Sequence, residues 1–136
     1  MTVVLDSNVL LVAVGKRSAY RGIWQAFVEG KYQIMLSEAM IFEYIEILQQ
    51  RAATGAWDFV MDIFMESPGI IYQQVYYSWN LIYNDPDANK FVDAAIAANA
   101  EYIVTDDAHF NLLKSLKFPR VKIITAREFL VLLGTT

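Results

Sequence analysis

Short apolar runs that alternate with helical patterns are the feature that most constrains how this chain folds. The first run, residues 2–5, is β-branched and aliphatic and stops abruptly at Asp6. Alternating strands and helices are typical of a mostly parallel sheet covered by helices on both faces. We therefore predict a three-layer α/β/α sandwich with a central sheet of about 4–5 strands. The further strand-like runs are 32–36, 70–75, 102–105 and 121–124.

The helical segments are recognised by their periodicity and their ends. Ser37 is the expected N-cap of a helix over residues 38–52, whose apolar residues recur at the i, i+3, i+4, i+7 spacing of an amphipathic helix. Residues 76–83 are rich in aromatics and fit neither period, so we expect them to be extended. The remaining helices are predicted over residues 19–29, 57–66, 88–98, 109–116 and 126–133.

Size and composition limit the classes of protein to which this chain can belong. A chain of 136 residues with 56% apolar residues suits one domain over residues 1–136. The apolar runs are too short to span a membrane, and no secretion signal precedes them, so we expect a cytoplasmic protein. The absence of cysteine excludes a disulfide framework and thiolate metal sites.

The net charge of −4 argues against a general nucleic-acid coat. Any binding to nucleic acid must therefore use a local cluster of basic residues. One basic group is Lys16, Arg17 and Arg21, and a second lies between Lys114 and Lys122. These groups either line a substrate path or form ordinary solvated faces.

Two strand-like runs end in acids, Asp6 after the first and the pair Asp106 and Asp107 after residues 102–105. The carboxyl ends of parallel strands share one edge, so these acids are candidates for a common pocket. Two carboxylates about 4 Å apart repel by roughly 4 kcal/mol at an effective dielectric of about 20, so such a cluster needs protons or a cation. The available ligands are oxygens, which suit Mg²⁺ or Mn²⁺. The single histidine, His109, is expected at the surface or in a cap.

Two helices offer further acids. Asp93 lies in an otherwise apolar run, one turn after Asn89, and it either reaches water, a partner or a metal, or marks a narrow solvent side of its helix. In the helix over residues 38–52 the candidates are Glu38, Glu43 and Glu46. Glu43 stands roughly 140° from the apolar stripe, so periodicity alone would place it in solvent. Spacing does not choose among these three.

Four motifs now occur in order: Val-Val-Leu-Asp-Ser-Asn-Val-Leu at 3–10, Phe-Glu-Tyr-Ile-Glu-Ile-Leu at 42–48, Asp-Pro-Asp-Ala-Asn-Lys-Phe-Val-Asp at 85–93, and Tyr-Ile-Val-Thr-Asp-Asp at 102–107. Together they resemble the PIN-domain family, in particular its branch of toxin components from toxin–antitoxin pairs. The resemblance implies an α/β/α sandwich that carries a Mg²⁺- or Mn²⁺-dependent ribonuclease site of three or four acids. It also implies an RNA substrate and a cognate antitoxin.

Carried over residue by residue, the resemblance matches Asp6 to the first acid, Glu43 to the helix glutamate and Asp107 to the acid that follows the threonine. Asn8 matches the supporting polar residue and Asp106 the variable position. Ser7, Asn89 and Thr105 are the other residues expected to support the site.

The third acid is where this chain departs from the family, because its usual position is occupied by Ala88. Asp87 and Asp93 are the nearest substitutes. We thus predict Asp6, Glu43, Asp93 and Asp107 as catalytic residues, with these four and Asp87 as metal ligands. The alternative is a PIN-fold module that binds an antitoxin or RNA and has a weakened site.

Two other enzyme and signalling classes fit less well. A phosphatase with an aspartyl nucleophile requires a second Asp at position 8, which is Asn here. A response-regulator receiver requires an acceptor Asp after a middle strand and a Lys after the last strand, and Thr125 follows residues 121–124. The aromatics Trp57, Tyr76, Tyr77 and Trp79 either belong to the core or form a surface for a homodimer or an antitoxin segment.

Overall fold

A single five-stranded sheet forms the centre of the protein. The computed structural model describes residues 1–134, and every pair of neighbouring strands is parallel. The strand order is β3-β2-β1-β4-β5. This confirms the predicted parallel sheet. The strands are β1 Thr2–Leu5, β2 Gln33–Leu36, β3 Ile70–Tyr72, β4 Tyr102–Val104 and β5 Ile123–Ile124.

Helices flank this sheet and complete the predicted α/β sandwich. Helix α5 packs on β1, β2 and β4, whereas α2 packs on α6 and α3 packs on α1 and α4. The α-helices are α1 Ser7–Ala13, α2 Arg21–Val28, α3 Glu38–Arg51, α4 Ala56–Glu66, α5 Asn89–Ala97 and α6 Ala126–Leu133, and 3₁₀ segments cover Pro86–Ala88 and Ala108–Ser115. No helix within residues 1–134 has the length and apolarity needed to cross a bilayer.

The core explains why the central strands contain almost no polar residue. Val3, Val4 and Leu5 are buried, and the neighbouring strands β2 and β4 bury their own aliphatic residues in the same way. A sheet covered on both faces requires apolar side chains at successive positions, not alternating ones. Beside it, an aromatic cluster forms ring contacts with centroids 4.9 to 5.9 Å apart, and such pairs add to the stability gained from burial. Its members are Trp24, Phe27, Tyr32, Phe64 and Phe129.

Several segments differ from the sequence prediction, including the last strand, which covers only Ile123–Ile124. Residues 7–13 form helix α1, which was not predicted because Val9 to Val14 is one continuous apolar run without visible periodicity. Strand β3 ends at Tyr72 rather than at residue 75, and the segment over residues 108–115 is a 3₁₀ helix. Residues 76–83 form no strand or helix, and the run is not extended throughout, because Asn80 has a left-handed φ of 52° and Tyr83 lies in a turn.

The sheet register brings the ends of β1 and β4 side by side. Leu5 pairs with Val104, and the backbone amide of Asp6 donates to the Val104 carbonyl at 3.0 Å. The next residues in the two strands, Asp6 and Thr105, are therefore neighbours at the carboxyl edge of the sheet.

Candidate active site

Asp6 is the buried centre of the candidate site, with only 7% of its surface exposed. The Thr105 hydroxyl donates to Asp6 Oδ2 at 2.8 Å, and the same hydroxyl accepts from the backbone amide of Asp107 at 3.0 Å. The Ser7 backbone amide is a further donor to Asp6. One threonine therefore holds the acids that follow β1 and β4 in fixed relation to each other.

The electrostatics of Asp6 identify two further acids close to it. Burial raises the pKa of Asp6 from its ordinary 3.8 to about 6, against the opposing hydrogen bonds from Thr105 and Ser7. The negative charges of Asp107 and Glu43 contribute to the same rise after burial. Three carboxylates from three different elements are therefore within electrostatic range of one another.

Glu43 reaches the site because α3 packs on two neighbours at once. The buried Tyr44 hydroxyl donates to the Leu5 carbonyl and so fixes α3 against the end of β1. The Tyr44 ring also lies 6.2 Å from the ring of Phe91 in α5. On this second side, Lys90 Nζ is 3.1 Å from Glu43 Oε2. Glu43 is therefore only partly exposed and points toward α5.

Asp107 is surrounded by groups that hold its carboxylate. Asp107 Oδ1 accepts from the backbone amide of His109 at 2.9 Å. The His109 ring Nδ1 lies 2.9 Å from Asp85 Oδ2 and 3.4 Å from Asp107 Oδ1. The hydrogen bond with Asp85, followed by the charge of Asp107, raises the pKa of His109. Ligand atoms of these three residues lie within 4.8 Å of one another.

His109 is at the surface, where the sequence analysis expected it, but its contact with Asp85 and Asp107 was not anticipated. The sequence analysis included Asp85 in the third motif but gave it no part in the site. Its approach to Asp107 depends on the path of the loop before α5, and no local pattern in the sequence signals it.

A comparison with protein-family models now identifies this arrangement. Residues 2–109 match the model described as a PIN domain. The chain belongs to the PIN-domain family. The matched range includes Asp6, Glu43, Asp85 and Asp107, so the whole carboxylate cluster lies inside the family's domain.

The same fold is found in a solved structure, the VapBC2 complex from Rickettsia felis bound to a DNA fragment from its promoter. One chain of that structure superposes on this PIN domain with a TM-score of 0.59 and 15% identity, covering 92% of this chain and 98% of the other. At this identity the similarity establishes the fold. No curated protein matched the sequence.

Ala88 is the departure that matters most within this PIN domain. It is 4% exposed and ends the short 3₁₀ segment before α5. Its methyl group offers no ligand atom at the position of the family's third acid. Asp87, the nearest substitute in sequence, is exposed and has no hydrogen bond or ion pair with another residue of the described chain.

Asp93 and Asn89 make their contacts elsewhere. Asp93 is 8% exposed, and its Oδ1 accepts from the Trp79 backbone amide at 3.0 Å. Asn89 accepts from the Ile82 amide at 2.9 Å and donates to the Ile82 carbonyl at 3.0 Å. These two side chains, one turn apart on α5, therefore hold residues 79–82 against the helix. None of the observed contacts joins them to Asp6, Glu43 or Asp107.

The other expected supporting residues are also distributed unevenly. Asn8 is exposed and accepts from Arg51 at 3.2 Å. Asp106 accepts from the backbone amide of Ala126 at 3.0 Å and so contacts the start of α6. Ser7 is buried, and its hydroxyl is the buried side-chain oxygen without a hydrogen-bond partner in residues 1–134. Thr105 and the Ser7 amide thus contact Asp6, whereas no contact joins Asn8 or Asp106 to it.

The donor set of the cluster fits a hard divalent cation. Asp6, Glu43 and Asp107 all present carboxylate oxygens, which are the ligands that Mg²⁺ and Mn²⁺ prefer. Their mutual repulsion would be relieved by a cation among them. Lys90 already supplies one positive charge to this group through Glu43.

Proposed function

We propose that this PIN domain is a Mg²⁺- or Mn²⁺-dependent endoribonuclease and the toxin component of a toxin–antitoxin system. The observation that carries the proposal is that Thr105 joins buried Asp6 to Asp107, with Asp107 and Glu43 near enough for their charges to act on Asp6. Neighbouring carboxylates repel one another, and a divalent cation bound between them removes that repulsion. The reaction is hydrolysis of RNA phosphodiester bonds.

In the mechanism, Asp6, Glu43 and Asp107 hold the ion, and Asp93 and Asp87 remain the candidates for an additional ligand. A bound divalent ion supplies an activated water and offsets the charge that develops on the phosphate oxygens. Thr105 keeps the Asp6 carboxylate in one orientation through its 2.8 Å hydrogen bond. Such positioning is needed because catalysis depends on the reacting atoms being aligned.

The residues around the acids have separate parts in this mechanism. Lys90 limits repulsion at Glu43 before the ion arrives and then offers a positive charge to the RNA phosphate. The Asp85–His109 pair holds Asp107 from the other side. The Ser7 hydroxyl is buried next to Asp6 in sequence and has no hydrogen-bond partner among residues 1–134.

A basic groove of about 780 Å³ provides a path for the RNA backbone. Its cations include Lys16, Arg17 and Arg21 from the first basic group of the sequence. Arg51 also lines the groove and donates to Asn8, two residues beyond Asp6. Phosphate binding by such a local cluster would overcome the net negative charge of the whole chain.

Partners are proposed on the likeness to the Rickettsia felis complex, which contains two different proteins. We expect a cognate antitoxin to bind this domain in the cytoplasm. Of the four aromatics considered from sequence, Tyr76 and Tyr77 are exposed, and Trp57 and Trp79 are half-buried. Tyr77 and the exposed Phe118 are candidates for the antitoxin contact or for a homodimer contact.

A second candidate function is a binding module with a weakened site. Ala88 favours it, because a site with one carboxylate fewer has less charge with which to attract the ion. In this case the fold would bind an antitoxin or RNA without cleaving.

Mn²⁺ titration by calorimetry, together with an RNA cleavage assay, tests both candidates. Wild type and Asp6→Asn should be compared, with Asp62→Asn as a matched control because Asp62 is an exposed acid on α4. The nuclease proposal expects Mn²⁺ binding and cleavage by wild type and the control, both lost in Asp6→Asn. Binding of RNA or antitoxin without cleavage would favour the module. If neither Mn²⁺ nor Mg²⁺ binds wild type at millimolar concentration, the nuclease proposal is rejected.

A further inference from the structure

A groove of about 610 Å³ opens directly beside the candidate active site. It lies between the first half of α3, the segment over residues 74–80 and the first half of α5. Phe42 lines it and immediately precedes Glu43. Lys90 also lines it and forms the ion pair with Glu43 at 3.1 Å. A molecule in this groove would therefore lie next to a chain held by the carboxylates.

Two aromatic rings are left in solvent at this groove. Phe42 is 63% exposed and Tyr76 is 90% exposed. The Tyr76 hydroxyl donates to Gln74 Oε1, a contact that restrains the tyrosine side chain. Exposed aromatic rings beside a strand-binding path are the usual platform on which the bases of single-stranded nucleic acids stack.

A carboxylate with one free oxygen also lines this groove. Asp93 lines it and is 8% exposed, yet only its Oδ1 has a partner, the Trp79 amide at 3.0 Å. Oδ2 has no hydrogen-bond partner among residues 1–134. This oxygen is not enclosed, so it is open to a ligand in the groove that donates an N–H group.

We propose that this groove is a nucleobase subsite, in which a base with an exocyclic amino group stacks on Phe42 and Tyr76 and donates to Asp93. This proposal rests on the proposed function for the identity of the strand, which is RNA whose phosphate would lie at a cation held by Asp6, Glu43 and Asp107. The combination of stacking surface, acceptor and continuity with the carboxylates favours a base over a peptide segment.

The chemistry of Asp93 gives the subsite a defined preference. Cytosine presents an amino donor where uracil presents a carbonyl oxygen, and acidic side chains accept from the cytosine amino group. The subsite should therefore prefer cytosine to uracil. Asp93→Asn keeps an oxygen for the Trp79 amide and replaces the other oxygen with an amide donor. That donor matches the uracil carbonyl, so the preference should disappear or reverse.

The test is fluorescence anisotropy with labelled hexamers of cytidine or uridine in buffer containing EDTA, with oligonucleotide integrity checked on a gel. Wild type should bind the cytidine hexamer about fivefold more tightly than the uridine hexamer, at the low end of base-edge discrimination. Asp93→Asn should reduce that ratio to about one or invert it. Phe42→Ala and Tyr76→Ala should weaken both affinities several-fold, at the scale expected for a lost stacking contact.

Tyr83→Ala is the matched control, because Tyr83 is 80% exposed, lies in the same stretch and does not line the groove. It should bind as wild type does. Circular dichroism melts check that Asp93→Asn is folded. Equal affinity of wild type for both hexamers overturns the proposal, as does a Tyr83→Ala effect equal to that of Tyr76→Ala. Protection of the groove from hydrogen exchange by an antitoxin, with no effect of either hexamer, would assign it to a peptide and also overturn the proposal.

The outcomes separate the subsite from the nuclease function. RNA cleavage with no difference between cytidine and uridine substrates rejects the subsite and leaves the nuclease. Preferential binding of cytidine with no cleavage in Mn²⁺ supports the subsite and rejects the nuclease.

Discussion

The substitution Asp6→Asn should stabilise the metal-free protein at neutral pH. In the folded state, burial raises the pKa of Asp6 to about 6, while an unfolded chain restores the ordinary 3.8. Ionised Asp6 therefore weakens the fold, because the folded protein must keep a charge in a poorly solvated position beside Asp107 and Glu43. Asparagine has nearly the same shape, keeps an acceptor for the Thr105 hydroxyl and has no charge.

The magnitude follows from the two pKa values. Each tenfold change in proton affinity corresponds to about 1.4 kcal/mol, so the charge of Asp6 costs the folded state about 3 kcal/mol at pH 7. The folded state binds the proton more tightly than the unfolded state does, so the penalty is complete above pH 6. It is lost as the pH falls from about 6 toward 3.8, where Asp6 is protonated in the folded protein.

Thermal or urea unfolding of the metal-free protein at several pH values measures this effect. We expect Asp6→Asn to be more stable than wild type by up to about 3 kcal/mol at pH 7 and by almost nothing near pH 4. The control Asp62→Asn, at an exposed position, should change stability by no more than about 0.5 kcal/mol. A destabilised Asp6→Asn at pH 7, or a gain that persists at pH 4, would refute this account of the site.

Three further predictions concern the ion and the RNA. Ala88→Asp places an acid just before α5 and should strengthen Mn²⁺ binding, measured by calorimetry, about tenfold. This is the scale expected for one added charge contact in a partly buried site. Unchanged affinity would show that the side chain at position 88 does not contact the ion. Lys90→Met should strengthen Mn²⁺ binding several-fold and weaken RNA binding. It should lower the free energy of unfolding by less than about 1 kcal/mol, because partly exposed ion pairs contribute little to stability. Replacing Lys16 and Arg17 with alanine should weaken RNA binding and reduce its logarithmic salt dependence by roughly 1.4, whereas Lys31→Ala, outside the basic groove, should not.

Much of the fold could be predicted because local and tertiary requirements agree. Helix α3 begins at Glu38 as expected, since Ser37 caps it by accepting from the Met40 amide. The final helix begins where Thr125 and Glu128 form a reciprocal capping box. Helix α1 was missed because its apolar residues merge with the strand before it, so neither period stands out. Only the turn at Asp6, imposed by the sheet edge, separates the two elements.

The site was less predictable because its geometry depends on contacts distant in sequence. Periodicity placed Glu43 in solvent, since it measures one apolar stripe and α3 packs both on the end of β1 and on α5. The resemblance to the family, not spacing, selected Glu43 from the three candidates. Asp93 is a similar case. Its position in an otherwise apolar run of the sequence already indicated an unusual environment for an acid. Its partner, the Trp79 amide, lies in a segment with no readable pattern.

The missing acid at position 88 bears on how strongly the site binds an ion more than on whether it binds one. Mg²⁺ usually retains several waters and is held by one or two carboxylates, so three convergent acids already exceed that minimum. On the opposite side of Asp107, Asp85 contacts the His109 ring, whose positive charge when protonated offsets one of these two acids. At the same time, Lys90 occupies Glu43 and must be displaced from it or share it when the ion enters. We therefore expect the affinity for an ion to depend on the two cationic groups beside the acids, Lys90 at Glu43 and protonated His109 at Asp107.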